Sequence, residues 1–447
     1  MNLKVIFRVA GKTIVMLSIF ALGGNGETTQ AVEVRKPNIV VIVADDLGIE
    51  CLSAYGGKSY TTPNLDKLAT QGMRFTHAFS NPLCSPSRAT LLTGRYNFLN
   101  GVPIVIFNPE KHSETFLHTD QPSFPRHLKK AGYRTAIAGK WQLSFLDLKN
   151  EVSDFGFDEY QLWQLFGADG EKTRRFHHPH FNRNGKIIAD EIDGRFGPDV
   201  NVEFLMDFMA ENAESGQPFL AYYTCLLPHY PWVPTPDSKD QNDPVKVGTD
   251  KGDTKFFPDM VEYLDKNVGR LMGKLDELSI ADDTVLIFVA DNGTSQSIES
   301  VWGDGHLLQG GKSTMTDRGT RVPLMIRWPG VIEAGTTNDD LIDFSDLFPS
   351  LCELGGAELP GETIHGRSFV PQLRGNPGAP REWIHVQNGR KRYLRNRDFI
   401  LNNSGELRPV PEIWESIRKP MNPAASEKSS AALSELQSVF SELDASR

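Results

Sequence analysis

The chain has 447 residues, of which 39% are hydrophobic and 23% charged, as is ordinary for a globular protein. Its formal net charge is −10, acidic and basic residues are mixed along it, and no basic block indicates nucleic-acid binding. An anionic ligand would therefore need arginine, lysine or a metal ion placed locally. The length predicts one large core with a smaller appended unit.

The first 24 residues have the pattern of a secretory signal peptide. Three basic residues precede an apolar run over residues 13–22, and two glycines follow it. The run is shorter than the roughly 20 residues that a membrane-spanning helix needs. We therefore expect a cleaved signal rather than an uncleaved anchor, no stable membrane anchor, and a secreted or periplasmic protein.

The four cysteines are far apart in the chain, and no pair has CxxC spacing, so zinc-site and thioredoxin-like patterns are weak. If Cys84 has a chemical role, at most one disulfide can form among the rest. The cysteines are Cys51, Cys84, Cys225 and Cys352.

Apolar β-branched runs alternate with amphipathic helical patterns as far as residue 290. The continuous run PNIVVIVA at 37–44 predicts a strand buried on both faces. Further strands are predicted at 133–138, 218–227 and 284–290. Helices are predicted at 62–72, 124–130, 200–213 and 260–278. This order predicts an α/β fold with a large, mostly parallel or mixed sheet flanked by helices.

The sequence changes character after residue 370. Prolines and glycines over 371–380 predict a linker, and short alternating segments at 383–386 and 393–400 predict a small antiparallel sheet. We therefore predict a main domain over 34–370 and a smaller C-terminal α+β subdomain over 371–447. A final helix that docks on this subdomain is predicted from apolar residues at helical spacing, which are Leu433, Leu436, Phe440 and Leu443.

Polar side chains follow the predicted strands at the edge of the sheet where ligands bind in such folds. Asp45 and Asp46 come directly after the first strand, and Asp291 and Asn292 after the last. Oxygen ligands of this kind suit Ca²⁺ or Mg²⁺. A single Asp pair would more readily serve as a turn or helix cap. Two such sets after two buried strands favour a metal site.

The segment NPLCSPSRATLLTGR at 81–95 places Cys84 at the start of a predicted helix. Pro86 suits a first helical turn and Gly94 a helix end, so Cys84 would lie beside exposed N–H groups where an anion is favoured. Arg88 falls about one turn later and can point toward the same anion. Spacing alone does not distinguish this arrangement from a buried structural cysteine near a surface arginine.

CSPSR at 84–88 followed by TGR at 93–95 resembles the sulfatase signature of the alkaline phosphatase superfamily. One such motif occurs by chance, whereas a whole ordered set does not. The resemblance covers residues 37–370 and implies an alkaline-phosphatase-like fold and hydrolysis of a sulfate ester. The other motifs that carry it are PNIVVIVADDLG, TPNLDKLATQGMRF, GKW at 139–141, LPHYPW at 227–232, VADNG at 289–293 and GGKSTMTDRGTRVPLMIRWPG at 310–330.

The resemblance implies that a formylglycine-generating maturation enzyme oxidises Cys84 to formylglycine, whose hydrate attacks sulfur. It also implies that Asp45, Asp46, Asp291 and Asn292, together with the modified Cys84, hold one Ca²⁺ that polarises a sulfate oxygen. The second hydroxyl of the hydrate then lets the aldehyde re-form and sulfate leave. An ordinary serine or cysteine would stall as the covalent ester.

The same matching assigns further roles around the sulfate. Arg88 would hold the hydrate, Lys140 and Lys312 would neutralise sulfate oxygens, and His229 would protonate the departing alcohol. One residue departs from the family, because many members have His where this chain has Gln142. Glutamine can donate a hydrogen bond but cannot take a proton at neutral pH. Sulfate release would then need another base or a water molecule.

Substrate contacts are predicted from Gln142, from His306 near the mouth of the site, and from a loop over 163–185. The His cluster in this loop is weak evidence for a transition metal, because no pair lies on a clear helical face. We expect the loop, including His178, to contact sugar rings or further sulfates, with an ordinary surface insertion as the alternative. The loop contains Trp163, Arg174, Arg175, His177, His178 and His180.

The predicted substrate is a sulfated small molecule or saccharide, and two other functions stay open. The first is a phosphodiesterase or phosphonate monoester hydrolase of the same superfamily, although one cation cluster is predicted rather than a two-metal site. The second is a non-catalytic glycan-binding relative. Its only support is Gln142, since Cys84 and the aspartates are present.

Overall fold

The computed structural model describes residues 8–9, 12–13, 36–107, 116–146, 150–240, 252–413, 415 and 418–446. Two short strands near the start, β1 (Arg8–Val9) and β2 (Lys12–Thr13), pair antiparallel. The rest of the predicted signal peptide lies outside the described residues. No helix in the described part of the chain is long and apolar enough to cross a membrane.

Among the described residues, ten strands form one mixed sheet, which confirms the predicted α/β class. The strands are β3 (Asn38–Ala44), β4 (Met73–Phe79), β5 (Arg134–Gly139), β6 (Glu159–Trp163), β7 (Phe181–Arg183), β8 (Lys186–Ile187), β9 (Phe219–Thr224), β10 (Thr284–Ala290), β13 (Arg321–Arg327) and β14 (Thr336–Asp343). Their order is β14-β4-β13-β10-β3-β9-β5-β6-β7-β8. Strand β13 runs antiparallel to β10 and β4, whereas β10, β3, β9, β5 and β6 are parallel. A separate hairpin joins β11 (Glu299–Trp302) to β12 (His306–Gln309).

Two groups of helices cover this sheet. Helix α7 (Phe257–Glu277) contacts both α1 (Pro63–Gln71) and α6 (Gly197–Ser215). The other group is α2 (Cys84–Thr93), α4 (Phe124–Lys130) and α9 (Leu347–Leu354), which contact one another. Residues of α7 such as Val261, Leu264 and Val268 are buried at the 3.6-residue period that a core-facing helix requires. The helices are α1 (Pro63–Gln71), α2 (Cys84–Thr93), α3 (Asn97–Asn100), α4 (Phe124–Lys130), α5 (Glu151–Asp154), α6 (Gly197–Ser215), α7 (Phe257–Glu277), α8 (Asp317–Thr320), α9 (Leu347–Leu354), α10 (Val370–Leu373) and α11 (Glu427–Ala445). Short 3₁₀ turns lie at Ile49–Cys51, Ser53–Tyr55, Ala189–Glu191, Thr254–Phe256, Phe344–Asp346 and Pro423–Ala425.

The C-terminal region contains the predicted small antiparallel sheet. Its strands, in spatial order, are β15 (Ile384–Asn388), β16 (Lys391–Arg395), β17 (Phe399–Asn402) and β18 (Leu407–Pro409). Helix α11 packs Leu436 and Leu443 into a cluster with Leu394 and Leu401, so it is the docking element that its apolar spacing predicted. The division of the chain at residue 370 stays a prediction.

Parallel register brings the ends of four strands to one edge of the main sheet. Ala44 lies opposite Ala290 at the ends of β3 and β10, and Thr224 at the end of β9 lies opposite Gly139 of β5. The next residues continue the pairing, because Asp291 N donates to Ala44 O at 3.0 Å and Lys140 N donates to Thr224 O at 2.8 Å. The polar residues that follow these strands therefore converge.

Candidate active site

Cys84 is the first residue of helix α2, as its sequence context predicted. The helix is buried along its whole length, and Gly94 ends it in the left-handed conformation at φ 67°. The Cys84 side chain is 1% exposed, with Sγ 3.3 Å from Asp45 Oδ1 and 3.7 Å from Asp46 Oδ1. Burial raises the pKa of the Cys84 thiol well above its usual value, and the charge of Asp291 raises it further. The unmodified thiol is therefore not a thiolate at neutral pH.

Three carboxylates and one amide surround this thiol. Asp45, Asp46, Asp291 and Asn292 are all buried, and Asp46 has a left-handed backbone at φ 66°. The Asp46 amide donates to Asp291 Oδ1 at 3.2 Å, and Asn292 Nδ2 donates to Asp46 Oδ1 at 2.8 Å. Asn292 Oδ1 is buried and has no hydrogen-bond partner within the described part of the chain. A buried acceptor of this kind needs a ligand to offset its desolvation.

Each carboxylate is paired with a basic side chain. Arg88 is 2% exposed, and its Nε donates to Asp291 Oδ2 at 2.9 Å. Its Nη2 lies 2.8 Å from the same oxygen, and its Nη1 donates to Lys140 O at 3.2 Å. Three positive charges thus balance three negative charges in the cluster. The closest approaches are Arg88 to Asp291 at 2.8 Å, Lys140 to Asp45 at 2.7 Å and Lys312 to Asp46 at 2.6 Å.

The pairing controls the ionisation of the carboxylates. Burial alone would raise the pKa of Asp45, but the charges of Lys140 and Arg88 hold it well below its usual value. The pKa of Asp291 is instead raised to about 6, because its burial outweighs the charge of Arg88. The carboxylates are therefore largely ionised at neutral pH.

His229 follows strand β9 and lies at the open side of the cluster, with 20% of its side chain exposed. Its Nε2 is 3.1 Å from Lys312 Nζ and 3.6 Å from Asp46 Oδ2. Burial lowers the pKa of the His229 imidazole to about 3, although the charge of Asp46 opposes this shift. On the other side of the ring, Arg175 Nη2 lies 2.8 Å from Nδ1. The sequence placed Arg175 only in a polar loop, and no local signal linked it to His229.

The cluster fits a hard divalent cation. Ligand atoms of Asp45, Asp46, Cys84 and His229 all lie within 4.8 Å of one another. Asn292 Oδ1 has no hydrogen-bond partner in the part of the chain that the structure describes. Together with the converging carboxylates it provides the oxygen ligands that Ca²⁺ and Mg²⁺ prefer. His229 belongs to this geometric cluster, although the sequence assigned it to the leaving alcohol rather than to the metal.

The three predicted substrate contacts lie in different settings. Gln142 has a left-handed backbone at φ 51°, its carbonyl accepts from Ser85 Oγ at 2.8 Å, and its buried Oε1 has no hydrogen-bond partner among the described residues. His178 is 43% exposed, and its Nδ1 is 2.6 Å from Asp193. His306 is also 43% exposed and lies 3.1 Å from Asp304. Their roles in substrate binding stay predictions.

Comparisons with known proteins agree with the fold. The Sulfatase family model matches residues 37–357. Arylsulfatase A of Bos taurus is 33% identical over 371 residues, which cover 78% of this chain and 70% of that protein. The N-acetylglucosamine-6-O-sulfatase of Bacteroides thetaiotaomicron is 26% identical over 444 residues, covering 79% of this chain and 74% of that protein.

A solved structure, Ps i-CgsB in complex with k-i-k-neocarrahexaose, is similar with a TM-score of 0.74 and 25% identity, covering 91% of this chain and 92% of that chain. The chain therefore belongs to the sulfatase family. It is a sulfuric ester hydrolase, the class of enzyme that its relatives represent. The predicted family and fold are confirmed.

Proposed function

We propose that this enzyme removes sulfate from a sulfated carbohydrate, using Cys84 in its formylglycine form and one bound Ca²⁺. The observation that carries the proposal is the convergence of Asp45, Asp46, Asp291 and Asn292 on Cys84 at the start of a buried helix. A carbohydrate is favoured because one relative is named for a sulfated sugar and one similar structure holds an oligosaccharide.

The charge balance of the cluster supports a metal in the working enzyme. Its three carboxylates are already neutralised by three basic groups. A divalent cation would leave the cluster with an excess of two positive charges, which favours an anionic sulfate ester. Bound Ca²⁺ supplies polarisation of a sulfate oxygen. Lys140 and Lys312 can then direct ammonium donors at sulfate oxygens as well as at the aspartates.

The environment of Cys84 supports its modification. A buried thiol with a raised pKa is a poor nucleophile, because the thiolate is the reactive form. Formylglycine supplies a hydrate whose second hydroxyl permits release of sulfate from the enzyme. Arg88 pairs with Asp291 beside Cys84. We assign it the predicted part of holding the hydrate at the start of the helix.

His229 is placed to assist the leaving group. Its Nε2 faces the cluster beside Lys312, and at neutral pH the ring is uncharged. We assign it a hydrogen bond to the ester oxygen, which stabilises the charge that develops as the S–O bond breaks. Gln142 lacks a titratable group, so another base or a water molecule takes the proton during sulfate release.

The reaction is tested by measuring free sulfate and free phosphate from sulfated saccharides, aryl sulfates, phosphodiesters and phosphonate monoesters. The protein is co-expressed with a formylglycine-generating enzyme, and Cys84→Ala is the control. We expect sulfate release that depends on Cys84 and is greatest with one class of saccharide. Phosphate or phosphonate release without sulfate would assign the enzyme to the phosphohydrolase branch. Mass spectrometry of the peptide containing residue 84 tests the modification directly.

The metal is tested by chelation and re-addition. Treatment with EGTA should abolish sulfate release. Ca²⁺ should restore it better than Mg²⁺, because Ca²⁺ accepts more oxygen ligands in a flexible geometry, whereas Mg²⁺ requires a near-ideal octahedron. Full activity in EGTA would refute a calcium requirement. Secretion is part of the same proposal and is tested by the mass of the mature protein, which should lack about 24 residues of signal peptide.

A further inference from the structure

Arg175 approaches His229 from a loop that is distant in the chain and outside the metal cluster. Its Nη2 lies 2.8 Å from His229 Nδ1 and also donates to Tyr230 O. The side chain is 5% exposed, although it carries a full charge. Such a buried guanidinium is expensive unless its donors meet well-placed acceptors. The imidazole of His229 is one of those acceptors.

The packing around Arg175 holds its guanidinium in one position. The guanidinium carbon lies 4.5 Å from the centre of the Trp163 ring and 5.2 Å from that of Phe176, within cation–π range. The backbone of the loop is equally confined, because a Cβ on Gly197 would lie 2.0 Å from Arg175 O. The donor that faces His229 is therefore fixed rather than adjustable.

A fixed guanidinium determines which ring nitrogen carries the proton. Arginine has only donors and does not lose its proton in proteins, so a hydrogen bond to Nδ1 requires that nitrogen to be the acceptor. In a neutral imidazole the proton then lies on Nε2, which is the nitrogen that faces Lys312 and Asp46.

Two other contacts of the ring compete with this assignment. Tyr230 O lies 2.5 Å from Nδ1 and would accept a proton placed there, and Lys312 Nζ lies 3.1 Å from Nε2. Arg175 already donates to Tyr230 O, and a proton on Nδ1 would point at the guanidinium. Lys312 has a shorter bond to Asp46, at 2.6 Å, and does not need the ring as an acceptor. The charge-assisted bond from Arg175 therefore prevails.

We propose that Arg175 is a positioning residue that keeps the proton of His229 on Nε2, aimed at the leaving oxygen of the sulfate ester. This role rests on the function proposed above for His229. Without Arg175, Nδ1 is released to donate to Tyr230 O, and Nε2 becomes an acceptor that cannot assist the leaving group. The loop that carries Arg175 would thereby contribute to catalysis without touching the substrate.

The proton position is tested by ¹⁵N–¹H correlation spectra of histidine-labelled protein with Ca²⁺ present, because the two imidazole tautomers have distinct patterns. The His229→Gln spectrum identifies the signals of His229. We expect the Nε2–H tautomer in the wild type and the Nδ1–H tautomer in Arg175→Gln. A wild type with the proton on Nδ1 would overturn the proposal, and this result does not require any variant of Arg175 to fold.

Kinetics with two leaving groups give the second readout. In Arg175→Gln we expect kcat to fall about 10²-fold for a saccharide sulfate, as when one transition-state donor is lost. A smaller loss is expected for an aryl sulfate, whose leaving group needs less help, and KM should change little. Arg175→Lys keeps one donor and should recover part of the activity. Arg195→Gln is the control, because Arg195 is exposed and pairs with Glu203.

The kinetic results distinguish a failure of the role proposed for Arg175 from a failure of the role proposed for His229. Equal losses for both substrates in Arg175→Gln, or no recovery in Arg175→Lys, would reduce Arg175 to a structural residue. If His229→Gln itself loses no more activity on the saccharide than on the aryl sulfate, the proposed role of His229 fails. The tautomer spectra then still decide whether Arg175 sets the proton position.

Discussion

Replacing Arg88 with methionine tests the energy of a buried ion pair in the cluster. Arg88 is 2% exposed and Asp291 is fully buried, and the guanidinium contacts Asp291 Oδ2 through both Nε at 2.9 Å and Nη2 at 2.8 Å. Methionine keeps much of the side-chain volume but leaves the Asp291 carboxylate without its partner. Breaking one side of a buried pair costs about 3–5 kcal/mol.

The size of the protein converts this energy into a modest change in melting temperature. An unfolding entropy of about 2.1 cal/mol/K per residue, over roughly 400 residues, gives about 0.8 kcal/mol/K, so Tm should fall by about 4–6 °C. The assay is thermal unfolding in EGTA, which needs no formylglycine. Arg195→Met is the matched control. Its pair with Glu203 is exposed and should contribute less than about 1 kcal/mol.

Adding Ca²⁺ should reduce the difference in Tm between Arg88→Met and the wild type. In the variant, three carboxylates face only two basic groups, so the added ion offsets an excess of negative charge. The stabilisation on adding Ca²⁺ should therefore be larger in the variant than in the wild type. A Tm of Arg88→Met within about 1 °C of the wild-type value in EGTA would show that the buried pair contributes little to stability. A larger Tm difference in Ca²⁺ than in EGTA would contradict the predicted effect of the ion.

Three further predictions concern a glycine of the backbone, the substituted family position Gln142 and a partly buried histidine. Gly139→Ala would place a Cβ 1.9 Å from Thr224 O, next to Lys140, so we expect kcat to fall about 10²-fold. Gly132→Ala is the control, because its Cβ would have nothing within 4 Å. Similar kcat values in the two variants would contradict a steric cause. Gln142→His should raise the steady-state kcat by about tenfold or more, because histidine can accept a proton during sulfate release. The release of alcohol in the first turnover should not change. An unaltered kcat would show that proton transfer at this position does not limit turnover. Burial lowers the pKa of His365 to about 4, so the unfolded state binds the proton more tightly and stability should fall as pH drops from about 6.5 to 4. In His365→Leu the midpoint of urea unfolding should therefore depend less on pH over this range. An unchanged pH dependence would show that other titrating groups account for the loss of stability.

The sequence predicted the central strands well because they are buried on both faces. The predicted strand at 37–44 is observed as Asn38–Ala44, and the one at 284–290 as Thr284–Ala290. A continuous run of β-branched residues is typical of a strand that is buried on both faces of a parallel sheet. Strand β14 was missed. Its sequence TTNDDLID is mostly polar, and it becomes a strand because it pairs with β4 at the edge of the sheet. Pairing with a neighbouring strand depends on tertiary contacts, so the local sequence of β14 does not indicate it.

The sequence by itself predicted the candidate site residues, because ordered motifs and the ends of buried strands can both be recognised along the chain. The tertiary structure alone decided how these residues pair, including Lys312 with Asp46, and that His178 is exposed beside Asp193. It also brought Arg175 to His229 across 54 positions of sequence. Hydrogen bonds and ion pairs act over a few ångströms in space, and separation along the chain carries no information about them until the backbone has folded.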